Sequence, residues 1–176
     1  MKTYISILRG INVSGQKMIK MADLKTIYEE LGFKKVQTYI QSGNVVFKTQ
    51  ETSATTLEKL ISNKILNHYG FEVPNLILTP KDMKEALRNN PFQQYEKMYF
   101  TFLNEIPKSE NIEKLSVFNF VDEHFEIIGK VVYFYCPNGY GNAKMNNNFF
   151  ENKLKVAATT RNLNTVKKLL EMTTFI

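Results

Sequence analysis

The sequence predicts an α+β protein made of two related halves, each with an antiparallel sheet. In the first half, hydrophobic periodicity gives the order β-α-β-β-α-β. A strand–helix–hairpin order then begins again, and Tyr4 and Tyr99, in the two opening strands, lie about 95 residues apart. This order is the split βαβ pattern of ferredoxin-like folds. We expect two ferredoxin-like (βαββαβ-type) subdomains, residues 1–90 and 91–176, the second one degenerate and completed by C-terminal helices.

The helices and strands of the first half are predicted from local sequence patterns. Leu24, Ile27 and Leu31 recur at helical spacing, and Gly32 follows in the position that commonly ends a helix. Thr55, with Glu58 three residues later, indicates a capping box at the start of the second helix. The predicted elements are a strand Thr3–Leu8, a helix Met21–Leu31, hairpin strands Val36–Gln41 and Asn44–Lys48, a helix from Thr55, and a strand Val73–Leu78.

The second half is predicted in the same way. Thr79, Pro80 and Asp82 form a helix start, because Thr caps well, Pro suits the first position and an acid suits the first turn. Gly129-Lys130 separates two strands of a second hairpin. The predicted elements are a helix from Pro80, a strand Met98–Leu103, a helix Ser109–Val117, strands Phe125–Ile128 and Val131–Tyr135, and helices Asn147–Leu154 and Thr160–Met172.

The first hairpin carries an unusual polar pair. A two-residue loop, Ser42-Gly43, would place Gln41 opposite Asn44, and would put Ile40 on the core face. Tyr39, Gln41 and Asn44 would then share the opposite face. A turn requires the glycine but not two adjacent carboxamides, so we expect these polar side chains to line a site. Ser42 has no His–acid pair to activate it, which favours a turn role over a nucleophile.

Composition limits the possible classes. No stretch approaches the roughly 18 apolar residues of a membrane helix, and residues 1–8 are too interrupted for a signal peptide. One cysteine, Cys136, excludes an internal disulfide, and with two histidines it makes a structural zinc site unfavourable. We therefore expect no metal, no membrane association and a cytoplasmic location.

The charge of the chain is unevenly distributed. Residues 1–50 hold eight Lys and Arg against three Asp and Glu, and residues 144–176 hold six against two. Residues 51–143 are slightly acidic, with nine against twelve. Two basic end segments could create a field that attracts anions if they meet, or could be solvated faces that point apart.

The loop after the first strand is a candidate anion site. Gly10 and Gly15, five residues apart and followed by Lys17, are reminiscent of a phosphate-binding loop. The match fails because that motif needs Lys directly after the second glycine, and here Gln16 intervenes. A looser anion cradle remains, made of loop amides together with Arg9, Asn12 and Lys17.

A second candidate lies at the start of the last predicted helix. Thr160 is expected to be the N-cap, which would place Arg161 at the positive end of the helix dipole, a mismatch of roughly 0.3–1 kcal/mol. A bound anion would remove that cost, with Lys144, Asn162 and Asn164 nearby, although Arg161 could equally point into water.

Three stretches resemble a known family. LRGINVSG at Leu8–Gly15, YIQSGNVVF at Tyr39–Phe47 and TTRNLNTV at Thr159–Val166 resemble the motifs of the domain of unknown function 1697 family, which is mainly bacterial. Ser14 and Leu163 depart from its usual Gly and Trp. The resemblance implies an α+β protein with ferredoxin-like subdomains, and it implies no activity or cofactor.

The leading hypothesis is a protein that binds a small anionic ligand, phosphate- or nucleotide-like, in a cleft between the subdomains. The expected site residues are Arg9, Asn12, Lys17, Tyr39, Gln41, Asn44, Lys144, Arg161, Asn162 and Asn164. No catalytic base can be named, so enzyme activity is left open. The alternatives are a nucleic-acid-binding module, since ferredoxin-like sheets can stack bases, and a protein-interaction scaffold with no ligand.

Overall fold

The computed structural model describes residues 1–176, which divide into two compact units. The N-terminal unit comprises residues 1–84 together with 168–176, and the C-terminal unit comprises residues 85–167. None of the helices is both long enough and apolar enough to cross a membrane.

Eight strands and six α-helices make up the two units. In chain order they are β1 Lys2–Leu8, α1 Met21–Glu30, β2 Lys34–Tyr39, β3 Asn44–Thr49, α2 Ala54–Tyr69, β4 Asn75–Leu78, α3 Pro80–Arg88, β5 Met98–Leu103, α4 Ser109–Leu115, β6 His124–Ile128, β7 Val131–Tyr135, α5 Asn147–Leu154, β8 Ala158–Asn162 and α6 Leu163–Met172.

Each unit contains one four-stranded sheet, and the two sheets have the same topology. The strand orders are β2-β3-β1-β4 and β6-β7-β5-β8, and every pairing within them is antiparallel. The predicted fold class, α+β with two ferredoxin-like subdomains, is confirmed.

The core of the N-terminal unit lies between its sheet and helices α1 and α2. Leu24 and Ile61 are fully buried there against Phe47 of β3. The Tyr28 hydroxyl donates a 2.7 Å hydrogen bond to the Ser6 hydroxyl, which satisfies two polar atoms in an apolar environment. That burial raises the pKa of Tyr28 well above its usual range.

The corresponding core of the C-terminal unit is richer in aromatic side chains. Phe134 of β7 and Phe150 of α5 meet edge to face, with ring centroids 5.5 Å apart. Leu103 and Leu154 close the same cluster. Such aromatic pairs add roughly 0.5–1.5 kcal/mol beyond the area they bury.

In the middle of each sheet, the face opposite the core is also buried. Side chains alternate along a strand, and several that point away from the helical layers, such as Ile7 in β1 and Phe100 in β5, are completely inaccessible. In the C-terminal unit, the Tyr133 hydroxyl on this face donates to the Ala86 carbonyl of α3 at 2.9 Å. The middle of each sheet therefore presents no open aromatic surface, whereas at the β6 edge the exposed His124 ring stacks on Tyr135.

The predicted register of the first hairpin is wrong. Tyr39, not Gln41, pairs with Asn44, and residues 40–43 form the turn. Ile40 adopts φ 48° and is 48% exposed, so it does not reach the core. The longer turn is held by the Asn44 amide, which donates to the Tyr39 carbonyl at 3.0 Å and to the Ser42 hydroxyl at 2.9 Å.

The last strand was missed by the sequence prediction. Thr160 and Arg161 belong to β8, which pairs with β5, and helix α6 begins only at Leu163. The helix cap is Asn162, whose Oδ1 accepts from the Thr165 amide at 2.8 Å. Strand β8 thus completes the second βαββαβ unit.

One helix start also differs from its prediction. Ser53, not Thr55, caps α2, and its hydroxyl accepts from the Thr56 amide at 3.2 Å. Glu58 is not part of a capping box, since its carboxylate accepts from the Ile77 amide of β4.

Candidate functional site

The loop of residues 9–20 leaves β1 along an unusual backbone path. The Arg9 amide donates to the Pro74 carbonyl at 2.9 Å, which anchors the start of the loop beside β4. Five loop residues then have φ between 46° and 72°: Gly10, Asn12, Ser14, Gly15 and Lys17. Three of these carry side chains, and non-glycine residues adopt such angles only where surrounding contacts fix them.

Asn12 supplies those contacts from inside the loop. Its Nδ2 donates to the Ile19 carbonyl at 2.9 Å and to the Gln41 carbonyl at 2.8 Å, and its Oδ1 accepts from the Ile19 amide at 2.8 Å. The carboxamide thus ties the two ends of the loop together and joins them to the hairpin turn. Asn12 was expected to bind ligand, and the structure gives it a positioning role.

Gly43 brings the hairpin turn against the same loop. Its carbonyl accepts from the Leu8 amide at 2.8 Å. A Cβ atom at this position would lie 2.7 Å from Leu8 Cβ and 2.8 Å from Ile11 Cδ1, and the backbone has φ 80°. Only glycine fits this position without displacing backbone or core side chains. The LRGINVSG and YIQSGNVVF stretches are therefore parts of one local structure.

Arg9 and Lys17 line one cavity at this loop. The cavity has a volume of about 550 Å³, and it is lined by Arg9, Gly10, Val13, Ser14, Gln16, Lys17 and Pro74. The lining contains two cations and no carboxylate. Lys17 Nζ donates to the Glu72 carbonyl at 2.6 Å, which fixes one ammonium group at the edge of the cavity. We call this space the loop cavity.

The hairpin residues expected in the site occupy different environments. Asn44 is completely buried, and its amide holds the turn. Gln41 is exposed, and its backbone carbonyl is what contacts Asn12. Tyr39 is half-buried. None of the three lines the loop cavity.

Arg161 lies in the C-terminal unit and is buried, with 9% of its surface exposed. Its Nη1 donates to the Thr160 carbonyl at 2.9 Å. Burial removes water from the guanidinium and lowers the pKa of Arg161 to about 10, with a smaller opposing effect from Tyr140. A buried strand residue is not the helix-terminal cation that the sequence predicted.

A polar network surrounds the neighbouring strand residue Thr160. Its hydroxyl donates to Asn147 Oδ1 at 2.8 Å and lies 2.8 Å from the Thr101 hydroxyl. Asn147 also donates its Nδ2 to the Ala158 carbonyl, and its amide donates to the Tyr140 hydroxyl. These bonds fix α5 to β8, which is a structural role.

Of the remaining expected residues, Asn162 caps α6 and Asn164 is exposed on its first turn. Lys144 lines a second cavity, of about 410 Å³, which does not include Arg161. Its Nζ lies 5.4 Å from the centre of the Phe120 ring, and its amide donates to the Glu123 carboxylate at 2.7 Å.

The second cavity was not anticipated from the sequence. Residues 119–123, 136–139 and 142–144 line it, and Cys136 among them is buried. Burial, together with the nearby Glu123 carboxylate, raises the pKa of the Cys136 thiol to about 11. The thiol is therefore protonated at neutral pH and is a poor nucleophile. No group of three or more His, Cys, Asp or Glu side chains is placed to hold a metal ion.

The loop cavity also includes residues that sequence reasoning passed over. Val13, Ser14, Gln16 and Pro74 line it beside the two cations. The density of Gly, Ser and Asn between residues 10 and 15 indicated a turn-rich loop, but nothing in the sequence indicated that Pro74 lies beside it.

Comparison with known proteins agrees with this architecture. A family model described as "Protein of unknown function (DUF1697)" matches residues 1–133. The chain belongs to this family. The match includes the loop cavity and the first hairpin, whereas Thr159–Val166 lies beyond the matched residues.

A solved structure shares the fold of this family member. The structure of conserved bacterial protein SP0830 from Streptococcus pneumoniae is similar over 97% of both chains, with a TM-score of 0.71 and 24% identity. At this identity the likeness concerns the fold alone. No curated protein matches the chain.

Proposed function

We propose that this protein is a cytoplasmic binder of a small anionic, phosphate- or nucleotide-like ligand, and that the loop cavity is its binding site. The observation that carries the proposal is the pairing of Arg9 and Lys17 on one cavity whose lining has no carboxylate. Charge-assisted hydrogen bonds from such cations are the strongest contacts available to a phosphate group.

The construction of the loop supports this proposal. Asn12 and Gly43 hold the loop from two sides. The side chains of Arg9 and Lys17 therefore extend from a backbone that is nearly fixed. Preorganisation of this kind lowers the entropy lost on binding. Left-handed residues such as Ser14 and Gly15 are also typical of turns that expose amides to an anion.

The dimensions of the loop cavity suit a small organic phosphate. Ligand sites in proteins commonly enclose about 300–1,000 Å³, and the loop cavity has about 550 Å³. Ser14 and Gln16 add neutral hydrogen-bonding groups beside Arg9 and Lys17. A ligand with both a phosphate and hydroxyl or amide groups would use all four side chains.

Burial in the middle of the second sheet disfavours the nucleic-acid alternative. A ferredoxin-like sheet that binds RNA stacks bases on exposed aromatic side chains. The aromatic side chains on the face of the second sheet opposite its core are each at most 2% exposed at Phe100, Phe102 and Tyr133. The uneven positive charge remains consistent with either ligand, so the experiment includes RNA.

The test is a thermal-shift comparison of two lysine variants. Pyrophosphate and a panel of nucleoside monophosphates should raise the melting temperature of the wild-type protein, because they bind the folded state. Lys17→Gln should abolish that rise. Lys59→Gln, which removes an exposed lysine on α2, should leave the rise unchanged and corrects for net charge.

Two results would contradict the proposal. One is the absence of any shift with every phosphate compound, including pyrophosphate at millimolar concentration. The other is an equal loss of binding in Lys17→Gln and Lys59→Gln, which would show attraction to net charge only. Steeply salt-dependent binding of single-stranded RNA, with no response to nucleotides, would favour the nucleic-acid module.

A further inference from the structure

The two sheets have four edge strands, namely β2, β4, β6 and β8. An edge strand carries backbone N–H and C=O groups without a neighbouring strand, and proteins usually block such groups with charges, bulges or covering side chains. The four edges of this protein differ sharply in how they are blocked.

In the N-terminal unit both edges are blocked. Strand β2 carries Lys34 and Lys35, its pairing with β3 shifts register between Lys34 and Gln37, and Lys35 has φ 54°. Strand β4 is covered by α2, since Glu58 Oε1 accepts from the Ile77 amide at 3.0 Å. A further strand could not pair with either edge without disrupting these features.

In the C-terminal unit, β8 is blocked by side chains. The Ala158 amide donates to Glu151 Oε1 at 3.3 Å, and the Ala158 carbonyl accepts from Asn147 Nδ2 at 3.0 Å. The next carbonyl on the same side, that of Thr160, accepts from Arg161 Nη1. Three of the backbone groups that point outward from β8 therefore already have partners.

Strand β6 has no bulge and no side chain bonded to its outward backbone groups, and Glu126 is its charged residue. Its five residues pair with β7 without a register shift, and it contains no Pro and no Lys. Because Gly129-Lys130 is a two-residue loop, its flanking pair is hydrogen-bonded, and pairs alternate from there. The N–H and C=O groups of Phe125 and Ile127 consequently point away from β7, and no hydrogen bond from another element reaches them.

We propose that β6 pairs with β6 of a second copy of this chain, in antiparallel orientation. The pairing would join two four-stranded sheets into one of eight strands about a two-fold axis, a closed arrangement in which each copy presents the same surface. It rests on the edge itself and is independent of the loop cavity.

Side-chain complementarity favours a second copy as the occupant, because the exposed face of β6 carries both an imidazole N–H donor and a carboxylate acceptor. With Phe125 opposite the partner's Phe125, His124 lies opposite the partner's Glu126, and the two-fold axis repeats this pair. Both side chains are exposed. Shifting the register by two residues would place Glu126 opposite the partner's Glu126, and like charges directly opposite each other destabilise a sheet.

The experiment measures the molar mass of the full chain in solution over about 5–500 µM, a range suited to a small interface. The wild-type protein should shift from monomer to dimer. His124→Glu should raise the dimer dissociation constant by roughly tenfold, because it places two pairs of carboxylates opposite each other and like charges directly opposite destabilise a sheet. The double variant His124→Glu with Glu126→Lys places opposite charges across the two-fold axis and should recover the dimer.

A control variant separates this edge from general charge effects. Lys35→Glu changes a charge on the blocked β2 edge and should leave the dimer unchanged. A wild-type protein that stays monomeric over the whole range would overturn self-pairing, and the edge would then be open to a different chain. A dimer that persists undiminished in His124→Glu, or that the double variant does not recover, would equally overturn the proposal.

Discussion

The two units have the same strand order but differ in how they leave their first strand. In the N-terminal unit, twelve residues separate β1 from α1, and in the C-terminal unit only five separate β5 from α4. The longer connection carries Arg9 and Lys17 and forms the loop cavity. The same topology thus carries a candidate ligand site in the N-terminal unit and only a short connection in the C-terminal unit. Function commonly resides in loops more than in the scaffold.

The hairpin turns of the two units show the same contrast. Gly43 packs directly on Leu8 and Ile11, whereas no atom lies within 4 Å of the position that a Cβ would take on Gly129. Both glycines have positive φ. The turn of the N-terminal unit is therefore fixed by the neighbouring loop, while that of the C-terminal unit depends only on its own backbone.

Substitution of the two turn glycines should give the largest difference between the units. Gly43→Ala forces alanine into the left-handed backbone region and also creates a steric clash. The variant should therefore lower the free energy of unfolding by about 3 kcal/mol or more. Gly129→Ala bears only the first cost and should lose about 1–2 kcal/mol. Urea denaturation of both variants measures the difference, and equal losses would contradict the contact between turn and loop.

Removal of the loop asparagines should give a smaller difference. Asn12→Ala removes three hydrogen bonds and should cost about 2–3 kcal/mol, because each partner left unsatisfied is penalised. Asn104→Ala, in the short connection of the C-terminal unit, removes one side-chain acceptor, for the Ala157 amide, and should cost about 1 kcal/mol.

Hydrogen exchange locates the effect of Asn12→Ala. The Ile19 amide donates to Asn12 Oδ1, so its exchange should accelerate in this variant and remain unchanged in Asn104→Ala. Unchanged exchange at Ile19 in Asn12→Ala would show that the loop holds its shape without the carboxamide.

The smallest effect concerns alkaline pH and the buried tyrosine of the C-terminal unit. Burial raises the pKa of Tyr133 to about 12, while an unfolded tyrosine ionises near 10. The stability linked to its neutral form is complete below pH 10 and is lost as the pH rises from about 10 to 12, at up to about 1.4 kcal/mol per pH unit. Unfolding free energies of Tyr133→Phe at pH 9 and 11 should differ less than those of the wild type.

Tyr28 of α1 is a buried tyrosine of the N-terminal unit. Its pKa is raised by burial as well, in spite of the hydrogen bond to Ser6. Tyr28→Phe should reduce the alkaline loss in the same direction. A loss that neither variant alters would assign the alkaline sensitivity to other groups.

Elements set by local sequence were predictable. Asn147–Leu154 and Val131–Tyr135 were predicted with their observed bounds, because periodicity and turn glycines mark them. Strand β8 was missed because Thr160-Arg161-Asn162 is also a plausible helix start. Its strand conformation depends on pairing with β5, about 60 residues away in sequence, and local patterns do not contain that information.

The candidate site was predictable only in part. Arg9 and Lys17 were correctly placed in one loop by their spacing and charge, and they line one cavity. The roles of Asn12 and Asn44 were not predictable, since a carboxamide that binds backbone has the same sequence signature as one that binds ligand. Their partners, Gln41 and Tyr39, act through main-chain carbonyls, which every residue has.

The return of residues 168–176 to the N-terminal unit affects how the chain assembles on the ribosome. The segment contributes the buried residues Leu169 and Met172, yet it is synthesised after the whole C-terminal unit. Residues 1–84 therefore emerge without part of their unit and wait for about 80 further residues, or several seconds at 5–20 residues per second. Leu169 and Met172 can therefore join residues 1–84 only after that interval.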